Sequence, residues 1–343
     1  MTDQQWNTLL DTINGKDTNL PIGFIIDSPW LPNWYGITKL DYYTSEDMWF
    51  DANMKVINDF PDCMFLPGFW SEYGMCGEPS AFGAKGRFPE DEFPHAFPVI
   101  QSLEDIDKLE KPRASADGLA PFILNRLNLN RKRIEENGLK IRFSVTRGPL
   151  NVASYLMGTT ELLPAMISDP DKIHKLLRII TDYLKEWHAI QMEAIPTIDG
   201  MLLLDDIVGF IGEDHFKEFA LPYFKELFDR DVSVKFFHND APCKVSAPYL
   251  PEMGVNFFNM GFDITLNELK EKTDNKVTLL GNIPPRDVLA NGTPDDVTKA
   301  VDDLINSLED RSRVVMSCGG GMPPGVSSEN LQAFVDAVKK NRK

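Results

Sequence analysis

The chain has 343 residues, 43% of them apolar, with 35 Lys and Arg against 52 Asp and Glu for a net charge of −17. That apolar share supports a large core and argues against disorder, and the negative charge disfavours nucleic acid and anionic membrane as partners. The start, Met1-Thr2-Asp3-Gln4-Gln5-Trp6, lacks the basic stretch and apolar run of a signal peptide, no later stretch reaches membrane-span length, and Cys63, Cys76, Cys243 and Cys318 form no CxxC pair, so a soluble globular protein of the reducing cytoplasm is expected.

Residues 1–20 read as a short helix with Trp6, Leu9, Leu10 and Ile13 on one face, and residues 21–27 as a first strand closing on Asp27. An aromatic loop with Trp30, Trp34 and Tyr35 follows. Ser45 then caps a helix that turns Met48, Trp49, Ala52, Val56 and Ile57 inward. Residues 63–68 read as a second strand. Residues 69–98 hold Phe69, Trp70, Tyr73, Phe82, Phe88, Phe93 and Phe97 among Gly and Pro; a loop of this length is either functional or an excursion that packs over the domain.

Helical stretches fill 101–138, and residues 141–148 give a third strand. Asp169-Pro170 starts a long helix whose inward face is Ile173, Leu176, Leu177, Ile180, Leu184, Trp187 and Ala194. His174 and His188 have no ligand-type partner at helical spacing there and read as surface or packing residues. A fourth strand over 200–206 closes on Asp205 and Asp206, and helical stretches around Pro222 bury Phe216, Phe219, Tyr223, Phe224 and Leu227. Strands follow at 234–240, 255–261 and 277–283. A helix from Thr293-Pro294 carries Val297, Val301, Leu304 and Leu308 on one face; the eighth strand begins at Arg313, and a last helix runs from Ser328 to Lys340.

Eight apolar runs separated by helices predict an α/β fold, a single (β/α)8 barrel over residues 1–343 with an N-terminal helical extension and a long loop after strand 2. Catalytic groups in such a barrel come from the C-terminal strand ends, which here carry Asp27, Arg147, Asp205, Asp206, His238, Asp240, Asn259, Asn282 and Cys318. His238 and Asp240 are two apart and share a face. With Cys318 they would offer imidazole, carboxylate and thiolate to a zinc ion that keeps one position open. The alternative is a buried small Cys318 before a glycine turn and a hydrogen-bonded rim His238. Cys243 is a rival ligand that Ala241-Pro242 carries into the next helix.

Asp205 and Asp206 have three open roles: acid/base catalysis, orientation of His238, or capping of the next helix. Gly319-Gly320-Gly321 either presents N–H groups to an anion or makes a tight turn. Trp30, Trp34, Tyr35, Phe69, Trp70 and Phe82 suit a flat apolar or aromatic substrate or, alternatively, loop packing over the barrel.

Several stretches together resemble the uroporphyrinogen decarboxylase superfamily, and more closely its corrinoid-dependent methyltransferase branch. They are Gly148-Pro149 with Gly158 and Asp169-Pro170, Leu204-Asp205-Asp206, Phe237-His238-Asn239-Asp240, Leu280-Gly281-Asn282-Ile283, Gly292-Thr293-Pro294, and Gly319-Gly320-Gly321-Met322-Pro323-Pro324-Gly325 with Glu329-Asn330. The resemblance runs from about residue 140 onward. It implies zinc ligands at His238 and Cys318, with Asp240 standing where that branch has a cysteine. It also implies a corrinoid carried by a partner protein, since no stretch resembles a cobalamin-binding module. The decarboxylases hold their substrate with N-terminal arginines, and here that strand end offers Asp27, Trp30 and Trp34. The expectation is therefore a zinc-dependent methyltransferase acting on a small O-methylated, methoxyaromatic substrate and a Co(I) corrinoid. Asp27, Trp30, Trp34, Tyr35, Phe69, Trp70, Arg147, Asn259 and Asn282 would face the substrate. The alternatives are methyl transfer from a corrinoid to a thiol, and a non-catalytic ligand-binding member of the fold.

Overall fold

The computed structural model describes residues 1–342. Eight barrel strands follow one another in the chain: β1 (Ile22–Ile25), β2 (Cys63–Leu66), β3 (Phe143–Arg147), β4 (Gly200–Leu204), β5 (Val234–Asn239), β6 (Phe257–Met260), β7 (Thr278–Leu280) and β8 (Val314–Val315). Strands β3 to β8 form one continuous parallel sheet in chain order, and β1 pairs β2 in parallel. The two parts join where Gly23 N–H donates to Met316 O (3.0 Å) and Met316 N–H to Pro21 O (2.8 Å). Every junction round the (β/α)8 barrel is therefore made except the one between β2 and β3.

Side chains occupy that seam. Val145 N–H donates to Gln191 Oε1 (3.0 Å), Gln191 Nε2 donates back to Val145 O (3.1 Å), and Arg147 N–H donates to Glu78 Oε1 (2.8 Å). The edge of β3 thus finds its partners in a helix and a loop, as buried backbone groups must.

Strand alternation sorts the core into two layers. Ile25, Leu66, Phe143, Leu204, Phe236 and Val315 belong to the barrel interior, whereas Phe24, Phe65, Leu203, Phe237, Val314 and Met316 belong to the layer between strands and helices. Helix α1 (Asp3–Ile13), started by a capping box at Thr2, closes the N-terminal end: Trp6 lies edge-on to Phe143 at 5.5 Å. The C-terminal end is left open to the loops.

The outer helices include α2 (Glu46–Asp59), α3 (Ala120–Glu136), α4 (Pro149–Met157), α5 (Pro170–Ala194), α6 (Leu221–Phe228), α7 (Pro294–Ser307) and α8 (Ser328–Lys340). The expected caps are in place, with Ser45, Asp169 and Thr293 each accepting an N–H from the first turn. Met48 departs from expectation: it lies on the outer side of α2 at 40% exposure, and Phe50 takes the inward place. The segment from 69 to 98 is partly ordered by a short helix (Gly77–Ala81) and by a hairpin of Gly86–Arg87 with His95–Ala96. No described helix is long and apolar enough to cross a membrane.

Candidate metal centre at the barrel mouth

The same alternation that builds the interior decides which polar residues reach the mouth. On β5, Phe236 is interior, so His238 and then Asp240 continue that face upward. On β4, Leu204 is interior and Leu203 is not, so Asp206 faces the mouth while Asp205 faces the helices. Ligand atoms of Asp206, His238 and Asp240 all lie within 4.8 Å of one another. His238 is buried, Asp206 half-buried and Asp240 exposed.

Hydrogen bonds assign the imidazole proton. Asn259 Nδ2 donates to Leu280 O (2.7 Å), so its Oδ1 is the acceptor that meets His238 Nδ1 at 2.7 Å. The ring proton therefore sits on Nδ1, and Nε2 turns a lone pair toward Asp206 Oδ1, 3.9 Å away, with no hydrogen bond of its own. Asp206 Oδ1 also accepts Asp240 N–H at 3.1 Å. Desolvation at the mouth raises the Asp240 pKa, against the pull of His238, and the Asp206 carboxylate raises it further. Three acceptors converge there. That donor set, one imidazole and two carboxylates, fits a divalent ion.

Asp205 serves the scaffold. It is fully buried, its Oδ2 accepts the N–H groups of Leu150 (2.9 Å) and Asn151 (3.1 Å) at the start of α4, and its Oδ1 accepts Ile207 N–H (3.2 Å). Burial pushes its pKa up to about 8, against the pull of those N–H groups. Of the roles open to it, capping is the one the structure builds. A Cβ on Gly148 would stand 2.3 Å from Asp205 Oδ2, so only glycine admits the cap.

Cys318 stands apart from the three acceptors. It belongs to the outer layer with Met316 and Ile283, and its Sγ meets the Gly320 and Gly321 carbonyls, each at 3.8 Å. The register of β8 is the cause: Val315 is interior, so residues one and three further on face outward. Cys243, too, is fully buried in the outer layer. Gly320 instead lies against Asp240, where an added Cβ would come within 3.0 Å of its Oδ2.

The aromatic candidates divide. Trp30 is buried, with its indole N–H on Val326 O (3.0 Å) and its ring stacked on Trp34; Trp34 bonds Ser328 Oγ (3.0 Å), beside the start of α8. Phe69 is buried against Trp49 and Phe50 of α2, and Tyr35 rests on the outer layer. These four pack loops onto helices. Trp70 alone joins the barrel interior, beneath the Arg147 guanidinium at 5.8 Å. Asn259 holds His238, and Asn282 donates to the carbonyls of Gly261 (3.3 Å) and Ile264 (2.7 Å).

Asp27 faces the mouth as its place after Ile25 requires. Burial raises its pKa well above the ordinary range; Glu72 adds to the rise and Arg147 opposes it. Glu72 and Tyr155 are additional mouth residues that sequence reasoning did not single out. Tyr155 lies six residues beyond Pro149, on the helix that leaves the C-terminal end of β3, and that position was the available signal. Burial pushes its pKa up to about 12, with Arg147 lowering it and Asp206 raising it.

A parallel (β/α)8 barrel with nitrogen and oxygen donors gathered at the C-terminal mouth defines the class of protein. The uroporphyrinogen decarboxylase (URO-D) family matches residues 35–341, and the chain belongs to that family. It is 25% identical over 276 residues to the uroporphyrinogen decarboxylase of Chloroherpeton thalassium, covering 76% of each chain. To that of Xylella fastidiosa it is 24% identical over 279 residues, covering 76% of this chain and 77% of the relative. Among solved structures, a methyltransferase from Methanosarcina mazei shares the fold with a TM-score of 0.78 at 16% identity over 97% of both chains. A B12-independent methionine synthase from a Shewanella species follows at 0.55 and 12% identity, over 93% of this chain and 95% of that one.

Proposed function

We propose that this chain is a metal-dependent methyltransferase that takes a methyl group from a small methoxyaromatic compound and passes it to the Co(I) corrinoid of a separate protein. The observation that carries the reading is the convergence of the His238 Nε2 lone pair with Asp206 and Asp240 at the open end of the barrel. Asp206, His238 and Asp240 would hold the ion, zinc in this proposal, which when bound supplies Lewis-acid polarisation of the substrate's ether oxygen. Two carboxylates and an imidazole leave a metal more electron-poor than thiolates do, which favours an ether oxygen over an activated thiol as its substrate group.

The chain's own residues prepare that chemistry. Asn259 fixes the His238 ring, and Asp240 N–H fixes Asp206. The Tyr155 hydroxyl, held protonated by burial, is a hydrogen-bond donor for oxygen charge developing near Asp206. The fold shared with the Methanosarcina mazei methyltransferase supports the reading.

Metal analysis tests it. The parent protein should bind close to one equivalent of zinc, and His238→Ala and Asp206→Asn should lose most of it while remaining folded. Cys318→Ala should keep it; a fall there would bring the thiol back into the site. With a Co(I) corrinoid and a methoxyaromatic, the corrinoid spectrum should change and a phenol appear. A fast reaction with a thiol, and none with any methoxylated compound, would overturn the proposal.

A further inference from the structure

Arg147 follows Phe143 and Val145 on the interior face of β3 and is only half-exposed. Its backbone N–H bonds Glu78, but its guanidinium makes no hydrogen bond and no ion pair with any described residue. The acids around it are otherwise engaged. Glu72 accepts the N–H groups of Ser28 (2.7 Å) and Gly74 (2.9 Å), and Glu78 Oε1 accepts Arg147 N–H and the Thr146 hydroxyl (3.2 Å). With these acids engaged elsewhere the fork of donors is left open, and Trp70 lies 5.8 Å below the guanidinium. A partly desolvated guanidinium with five unmet donors is the half of a bidentate pair that awaits a carboxylate.

The fork shares the mouth with the three acceptors. Arg147 acts electrostatically on Asp240, and Tyr155 feels both Arg147 and Asp206. We propose that Arg147 is the specificity-determining residue that binds the carboxylate of the substrate, so that the methoxyaromatic compound is an aromatic acid. The methyl-transfer part of this statement rests on the function proposed above. The anion-binding part does not.

Binding without corrinoid separates the two. Calorimetry or tryptophan fluorescence on the full chain, with benzoate and 4-methoxybenzoate against neutral 4-methoxybenzamide, should show the acids binding about tenfold tighter or more, the size of one charge-assisted pair. Arg147→Gln should abolish that preference with the melting temperature held, and Arg147→Lys, which keeps the charge without the fork, should retain part of it. In turnover, Arg147→Gln should raise KM for the acid with little change in kcat, the mark of lost uniform binding. Equal binding of acid and amide to the parent, or undiminished benzoate binding to Arg147→Gln, would overturn the inference. A preserved acid preference with no methyl transfer would support it while overturning the proposed function alone.

Discussion

Asn259 carries no chemistry of its own, yet it decides what His238 can do. Its amide is locked by Leu280 O, so it can only accept from Nδ1, and the lone pair is left on Nε2 facing two carboxylates. Removing the amide should let the ring turn and exchange tautomers. Asn259→Ala is expected to weaken metal binding by about 10- to 100-fold, the usual effect of losing the group behind a histidine ligand. Competition against a chromophoric chelator measures this, and unchanged affinity would show that packing alone orients the ring. The same scale explains Asp205 and Asp206: adjacent carboxylates point to opposite layers, so one caps a helix and the other faces the mouth.

Among the elements, α4 sets the mouth most directly. Its first turn offers Leu150 and Asn151 N–H to Asp205, and Asn151 Oδ1 in turn accepts Asp206 N–H at 3.1 Å. The start of one helix thus holds the Asp205 carboxylate and the Asp206 backbone in place. Gly148→Ala would drive a methyl group into Asp205 Oδ2, and the cap must then give way. A loss of about 2 kcal/mol or more is expected from the broken cap and the crowding. Thermal melting reads it, and Asp205→Asn, which keeps the shape, should cost less. An undisturbed melting temperature for Gly148→Ala would mean that the loop before α4 adjusts freely.

For the molecule as a whole, His188 links the barrel wall to pH. It is fully buried on α5, with Nδ1 on Ser144 Oγ (2.9 Å) of β3 and no partner for Nε2. Burial, aided by Arg230, lowers its pKa from 6.5 to about 3. The unfolded chain therefore takes up this proton before the folded one does. Stability from this group is complete above pH 6.5 and falls as pH drops toward 3, by about 1.4 kcal/mol per pH unit. Asp205 and Asp27, whose folded pKa values are raised, tilt stability the other way, so the readout is the difference between parent and His188→Gln. Denaturant unfolding at pH 7 and pH 4.5 should show the parent losing more stability on acidification than the variant. Equal losses would place the acid sensitivity elsewhere.

Much of this architecture is local, and local order was legible in the chain. Eight apolar runs, the caps at Ser45, Asp169 and Thr293, and the apolar stripe of α5 each depend on spacing within one element. The two-residue step from His238 to Asp240 likewise puts both on one face whatever strand lies beside them. Tertiary structure decided the rest, because a period of two says which residues share a face but not which face is inside. Register with neighbouring strands turned Cys318 outward and Asp206 inward, exchanging a thiolate for a carboxylate at the mouth. Loops have no period at all, so only packing could separate Trp70 from Trp30, Trp34, Tyr35 and Phe69. The seam between β2 and β3 belongs to the same class: Gln191 and Glu78 lie far from each other in sequence, and only the closing of the barrel brings them to one strand edge.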